Sequence, residues 1–184
     1  PVCGANVTNM NSTYLDCKKL TGSPVCGLLV TDMNCTYNGC TDLTGQPVCG
    51  ANVTQMSGTY GYCNNLTGSP VCGNKVTDMN CAYYNCKKLT GSPVCGPNVT
   101  NMYRTYYGCP DLCGDMYMYS GNVSNISGCF YNRNVQNRLN IYTLNNSSTL
   151  NSCLRTNTTS LIGSAITWTN DISTNGCHYN TQYQ

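Results

Sequence analysis

Apolar and polar positions recur along this chain with a fixed period. Met10, Met33, Met56, Met79 and Met102 stand 23 residues apart. Cys3, Cys26, Cys49, Cys72 and Cys95 keep the same spacing, as do Cys17, Cys40, Cys63, Cys86 and Cys109. Between these columns the chain is mostly Asn, Thr, Ser and Gly. Self-similarity at a period of about 20 to 50 residues marks a repeat array, whose units bury their apolar sides against their neighbours.

One unit shows which elements the pattern predicts. In residues 30–43, VTDMNCTYNGCTDL, the residues Met33, Tyr37 and Cys40 fall at i, i+4 and i+7, one face of a helix. Thr31 stands where an N-cap would, and Asp32 would fall in the first turn, where negative charge suits the helix dipole. Gly39 and the polar residues after Cys40 end that helix. It spans two to three turns at most, too few to hold without a packing partner.

The partner expected is the segment Ser-Pro-Val-Cys-Gly. Its counterpart in the sixth copy runs Asp115-Met116-Tyr117-Met118-Tyr119, and this alternation reads as a strand. On that register Pro24 and Cys26 face the interior and Val25 faces solvent. Pro24 removes one ladder donor, so the strand is expected to be about three residues long. Gly27 is expected to allow a sharp corner.

These columns resemble the leucine-rich repeat variant of BspA-like bacterial surface proteins and mycoplasma-type lipoproteins. Val7-Thr8-Asn9-Met10, Tyr14, Cys17 and Leu20 match its signature, and copies follow through Asn98 to Leu112. The resemblance covers roughly residues 1–131. It implies an α/β repeat solenoid, a right-handed coil with one short strand and one short helix per 23-residue repeat, used for recognition and adhesion without catalytic residues. The Gly-Ser-Pro-Val-Cys-Gly segment departs from the longer, Leu- and Asp-containing stretch of that variant.

The sixth unit is irregular. Val123-Ser124-Asn125-Ile126 follows at a spacing of 24, Phe130 stands for the Tyr, and Arg133 stands for the Cys. Beyond it, residues 138–143 and two later stretches, SAITWTN and CHYNTQYQ, alternate as strands do, and residues 148–155 read as a short helix. Residues 132–184 are therefore expected to form a C-terminal cap, since the last unit of an array must cover an open core. The N-terminal edge shows no comparable cap, so more repeats before Pro1 or another subunit are expected to cover it.

Composition narrows the chemistry. Only 9% of the 184 residues are charged and the net charge is +2. That is too little concentrated positive charge for nucleic acid or an anionic membrane surface, and no apolar run is long enough to span a bilayer. Sixteen Cys suit either a disulfide framework or ladders of small buried thiols. The chain has no Glu and one His, His178, and no Cys-x-x-Cys pair, so neither a catalytic constellation nor a metal site is expected, and no cofactor is implied. Sequons at Asn6, Asn11, Asn34, Asn52, Asn65 and Asn98 are possible glycan sites if the chain meets a glycosylating compartment.

The expected binding face carries Val71 and Val94 with Tyr117, Tyr119 and Tyr142, because Tyr joins a large apolar ring to a polar tip. The function expected is recognition or adhesion on a bacterial surface or phage fibre, hence an extracellular or virion location. The partner would be a protein or glycan on a host or neighbouring cell. The alternative is a structural subunit of a filament or virion, self-associating through the array ends.

Overall fold

The computed structural model describes residues 1–118 and 123–131, and the backbone of three later strands. Four strands occur among the described residues: β1 (Gly114–Met118), β2 (Leu139–Thr143), β3 (Ser164–Asp171) and β4 (Gly176–Tyr183). They form one sheet in the order β1-β2-β4-β3. β1 and β2 run parallel, with Tyr117 opposite Tyr142, and the other two pairings are antiparallel. β2, β3 and β4 fall where the polar and apolar alternation pointed. The helix expected over residues 148–155 lies outside the described residues.

Through residue 112 the repeats stack in register. Asn9, Asp32, Gln55, Asp78, Asn101 and Asn125 form a column of parallel bridges, one residue from each repeat. The short helices expected in each repeat are not formed, and the described residues contain no helix. Over residues 33–43 the N–H groups divide between two uses. Those of Met33, Cys35, Tyr37 and Gly39 donate to the carbonyls of Gln55, Ser57, Thr59 and Gly61 in the next repeat, at 2.8–3.0 Å. Those of Thr36, Asn38, Cys40 and Leu43 donate to the carbonyl three residues back, at 3.0–3.3 Å. An α-helix would send its donors four residues back along its own axis.

Backbone conformation explains the difference. Cys35 has φ 49° and Gly39 has φ 77°, and the same columns carry positive φ at Ser12, Gly58, Cys81 and Arg104 and at Asp16, Tyr62, Asn85 and Gly108. A left-handed residue ends a right-handed helix and is what the third position of a type II turn requires. The chain therefore runs as a succession of tight turns. Turns spaced by four and three residues point Met33, Tyr37, Cys40 and Leu43 the same way, and all four are fully buried. Thr31 is no N-cap; its N–H donates to the Thr8 carbonyl at 2.8 Å. Asp32 accepts instead from the Asn34 N–H, at 2.8 Å.

The strands expected at Pro-Val-Cys are absent from the first five repeats, where the proline lacks a ladder donor and a side chain satisfies the valine backbone. The Tyr37 ring crosses the interior so that its hydroxyl accepts from the Val25 N–H at 3.0 Å and donates to the Val25 carbonyl at 2.7 Å. The same clamp joins Tyr60 to Val48, Tyr83 to Val71 and Tyr106 to Val94. A backbone held from within has no need of a neighbouring strand. In the sixth repeat Phe130 has no hydroxyl to offer and Met116 replaces the proline, and there the corresponding segment is a true strand, β1, paired with β2. The rings also stack on one another, from Tyr14 through Tyr37, Tyr60, Tyr83 and Tyr106 to Phe130, with centroids 5.4–5.6 Å apart.

The chain does turn at the glycine after each of these cysteines, the Val30 N–H donating to the Gly27 carbonyl at 3.2 Å and its counterparts likewise, but packing rather than a left-handed backbone is what calls for glycine there. Gly27, Gly50, Gly73 and Gly96 are not among the residues with positive φ. A Cβ on Gly50 would instead come within 2.8 Å of the Cys26 sulfur in the repeat before. Pro24, Pro47, Pro70 and Pro93 are buried, as expected, while the cysteines two residues on are half-buried except Cys95.

Two outcomes follow for stability. Tyr60→Phe strips the Val48 backbone of both partners and should cost about 1–3 kcal/mol, read as a lower midpoint in denaturant unfolding; an unchanged midpoint would remove the clamp from the account. Gly50→Ala should cost about 1–3 kcal/mol by overpacking, and adding Cys26→Ala should recover most of it. A double-mutant cycle with no coupling between the two sites would show that the sulfur is not what the missing Cβ accommodates.

Candidate functional site

The cysteine columns come first among the candidates, because they are the densest reactive groups in the chain. Cys40, Cys63, Cys86 and Cys109 each place the sulfur 2.9–3.0 Å from the carbonyl of Tyr14, Tyr37, Tyr60 or Tyr83, one repeat before. Each thiol thus serves as a donor inside the stack. All the described cysteines, including Cys3, Cys17, Cys26, Cys49, Cys72 and Cys95, are free thiols. Burial pushes Cys40 and Cys49 up to about 11 and Cys72, Cys95 and Cys109 up to about 12. A thiol held protonated is a poor nucleophile and a poor metal ligand. Among the described residues no three His, Cys, Asp or Glu are placed to hold a metal ion.

The residues expected to bind share one column, Val71, Val94 and Tyr117 following one another at intervals of 23 residues. Val71 and Val94 are half-buried, their backbones held by Tyr83 and Tyr106. Tyr117 is 43% exposed on β1 and stands opposite Tyr142 in the parallel register. Tyr119 lies outside the described residues. The backbone of His178 pairs with Tyr142 on one side and Thr169 on the other.

The sequons differ in what their side chains already do. The amides of Asn52, Asn65 and Asn98 donate to the carbonyls of Leu28, Thr41 and Asn74, so a glycan on any of them would take one of the two hydrogens of an amide already engaged between repeats. The Asn34 side chain accepts from the Ser57 N–H. Asn6 and Asn11 are exposed in the first repeat.

A different group forms the most site-like surface. Tyr84, Tyr107 and Tyr131, from three successive repeats, stack face to face with centroids 4.7 Å apart and planes within 7–8°. Because the ring faces point along the stack, their edges point outward. Tyr62 extends the row at 5.2 Å from Tyr84 but is turned 54° from it, and it is 47% exposed. The exposed Arg104 lays its guanidinium 4.9 Å from the Tyr103 ring centroid and 5.6 Å from that of Tyr107, a cation–π arrangement. Burial, then the neighbouring Tyr62 and Tyr107, pushes the Tyr84 hydroxyl up.

Two members of this patch are held at a conformational cost. Tyr62 has φ 61° in a column whose other residues are Asp16, Gly39, Asn85 and Gly108, and Arg104 has φ 51° in a column that includes Gly58. Gly, Asn and Asp accept a left-handed backbone readily; a bulky ring does so at about 1–3 kcal/mol. The spacing of Tyr84, Tyr107 and Tyr131 by 23 and 24 residues was the available sequence signal for the row. Tyr62 sits one column aside, so no single column contains the patch.

No family model matches the chain, and no curated protein or solved structure matches it. The likeness to BspA-like repeats therefore rests on the Val-Thr-Asn-Met, Tyr, Cys and Leu columns alone. No helix among the described residues is long and apolar enough to cross a membrane.

The buried thiols make a pH prediction. Their folded values lie above the ordinary 9.0, so the folded state keeps protons that the unfolded state releases. Stability should be independent of this group below pH 9 and should fall as pH rises from 9 to 12. Denaturant midpoints across that range check it, and a flat profile would contradict the buried thiols. At neutral pH the exposed Cys17 and Cys113 should alkylate well before Cys40, Cys63, Cys86 and Cys109, as read by peptide mass spectrometry.

Proposed function

We propose that this chain is a non-catalytic recognition module, a solenoid of stacked repeats displayed on a bacterial surface or phage fibre. Its binding surface is the outward row of tyrosines with Arg104. The observation that carries this reading is Tyr62, an exposed ring in a backbone conformation that its column elsewhere gives to Asp, Gly or Asn. Strain that persists at an exposed position serves something other than stability. The stacked tyrosines behind it supply a rigid platform, since aromatic rings lose little side-chain entropy on binding.

Of the two settings, the thiol columns favour a fibre assembled in a reducing compartment over an exported protein, because exported chains tend to oxidise paired cysteines. A second reading, a structural subunit that stacks end to end, is supported by the bonds between repeats, which run backbone to backbone from Met33, Cys35, Tyr37 and Gly39 and so do not depend on particular side chains.

Tyr62→Asn separates binding from folding. The variant should unfold at an equal or higher denaturant midpoint, by about 1 kcal/mol, and should lose retention on a printed panel of glycans and extracellular-matrix proteins to which the parent binds. Retention unaffected by Tyr62→Asn, or no retention of the parent on any spot, would overturn this reading. Species that lengthen with protein concentration in sedimentation would favour the structural subunit.

A further inference from the structure

The patch has a composition that selects among ligand classes. Its single cation is Arg104, and among the described residues no carboxylate lies within ion-pair distance of it; the ion pair present there joins Lys19 to Asp42, at 3.6 Å. The guanidinium lies near two tyrosine rings, as though pre-positioned, and such a planar fork matches one carboxylate in two parallel hydrogen bonds. One cation is too few for a polyphosphate backbone, whose binding grows with the number of phosphates neutralised.

The backbone narrows the choice further. The Tyr84 and Tyr107 carbonyls accept from the N–H groups of Tyr62 and Asn85, and their own N–H groups donate to Cys81 and Arg104. No free strand edge is offered there, so a peptide could not add itself as a strand. Recognition must use ring edges, the open face of Tyr62, phenolic hydroxyls and the guanidinium. These suit a ring-shaped, hydroxyl-rich ligand with one negative group: the apolar side of a sugar can lie on an aromatic ring while its hydroxyls bond to polar tips.

We infer that Tyr62, Tyr84, Tyr103, Arg104, Tyr107 and Tyr131 form a docking surface for an acidic saccharide. The sugar carboxylate meets Arg104 and the sugar ring lies against tyrosine. This inference rests on the recognition reading above and names its ligand class. The row spans several repeats, so an oligosaccharide can engage more than one ring at once, which raises apparent affinity without a new kind of contact.

Calorimetric titration of the full chain tests the inference, with trigalacturonate and sialyllactose as probes beside their neutral counterparts, the trimethyl ester and lactose. At least one acid should bind, and its neutral counterpart about tenfold or more weakly. Arg104→Gly should weaken the acid by a similar factor and leave the neutral sugar unchanged. That variant should fold, because Gly58 and Gly128 occupy the same column, each with positive φ. Leu28→Ala, at an exposed residue of the second repeat, should leave the affinity as it is. Failure of both acids to bind, equal binding of acid and neutral partner, or full affinity in Arg104→Gly would each overturn the acidic saccharide. If printed-panel retention still depends on Tyr62 in that event, the ligand class alone falls and the recognition reading stands. Retention confined to protein spots would mark the partner as a protein.

Discussion

The repeat stack depends on the tyrosine hydroxyl that reaches across each unit to the backbone of a valine twelve residues before it. One side of each 23-residue unit contains a buried proline with no N–H to offer. The hydroxyl both accepts from and donates to the Val backbone, so that this side closes without a strand ladder. The ring fills the interior on the way and stacks on the rings of its neighbours. In the sixth repeat, with Phe130 in place of the tyrosine and Met116 in place of the proline, the same segment finds its partners in β2.

Other buried polar atoms follow the same economy of short reaches. Thr36 places its hydroxyl 2.8 Å from the Met10 carbonyl and 2.9 Å from that of Met33, and its one proton serves either. Ala82 holds that column in the fourth repeat, so the hydroxyl there is an addition rather than a requirement. The thiols of Cys40, Cys63, Cys86 and Cys109 cap carbonyls one repeat away. Cysteine suits this interior because it is small, largely apolar and still able to donate weakly. Its abundance thus has a packing explanation that needs neither a bridge nor a metal.

The outer surface obeys different constraints. Inward columns hold nearly one residue type each, whereas the outward column that begins at Leu15 continues as Asn38, Gly61, Tyr84, Tyr107 and Tyr131. The stack tolerates this because the recurring bonds between repeats in these turns use backbone, and a side-chain bond such as that from the Asn38 amide to the Gly58 carbonyl, at 3.0 Å, is an addition that the later tyrosines do without. Freedom of that kind is what lets a rigid array carry a local patch, here towards its later repeats. The strained backbones of Tyr62 and Arg104 lie in that patch, and the clamp and ring stack behind it hold the backbone against relaxation.

The amino-acid sequence by itself determined the period, the inward columns and the absence of strong charge, because burial repeats wherever a residue type repeats. It also marked the strands at Leu139–Thr143, Ser164–Asp171 and Gly176–Tyr183 through their alternation. It did not distinguish a helix from a run of tight turns, since Met33, Tyr37 and Cys40 keep the same spacing on either. Gly39, Gly58 and Gly108 at recurring positions were the warning, but Cys35, Tyr62 and Arg104 at equivalent ones concealed it. Only the tertiary structure decided between the two, because alternate N–H groups can leave the local chain only when the next repeat stands ready with its carbonyls. The clamp from Tyr37 to Val25 and the row from Tyr62 to Tyr131 were settled there as well, since both depend on how far a ring reaches across or along the stack.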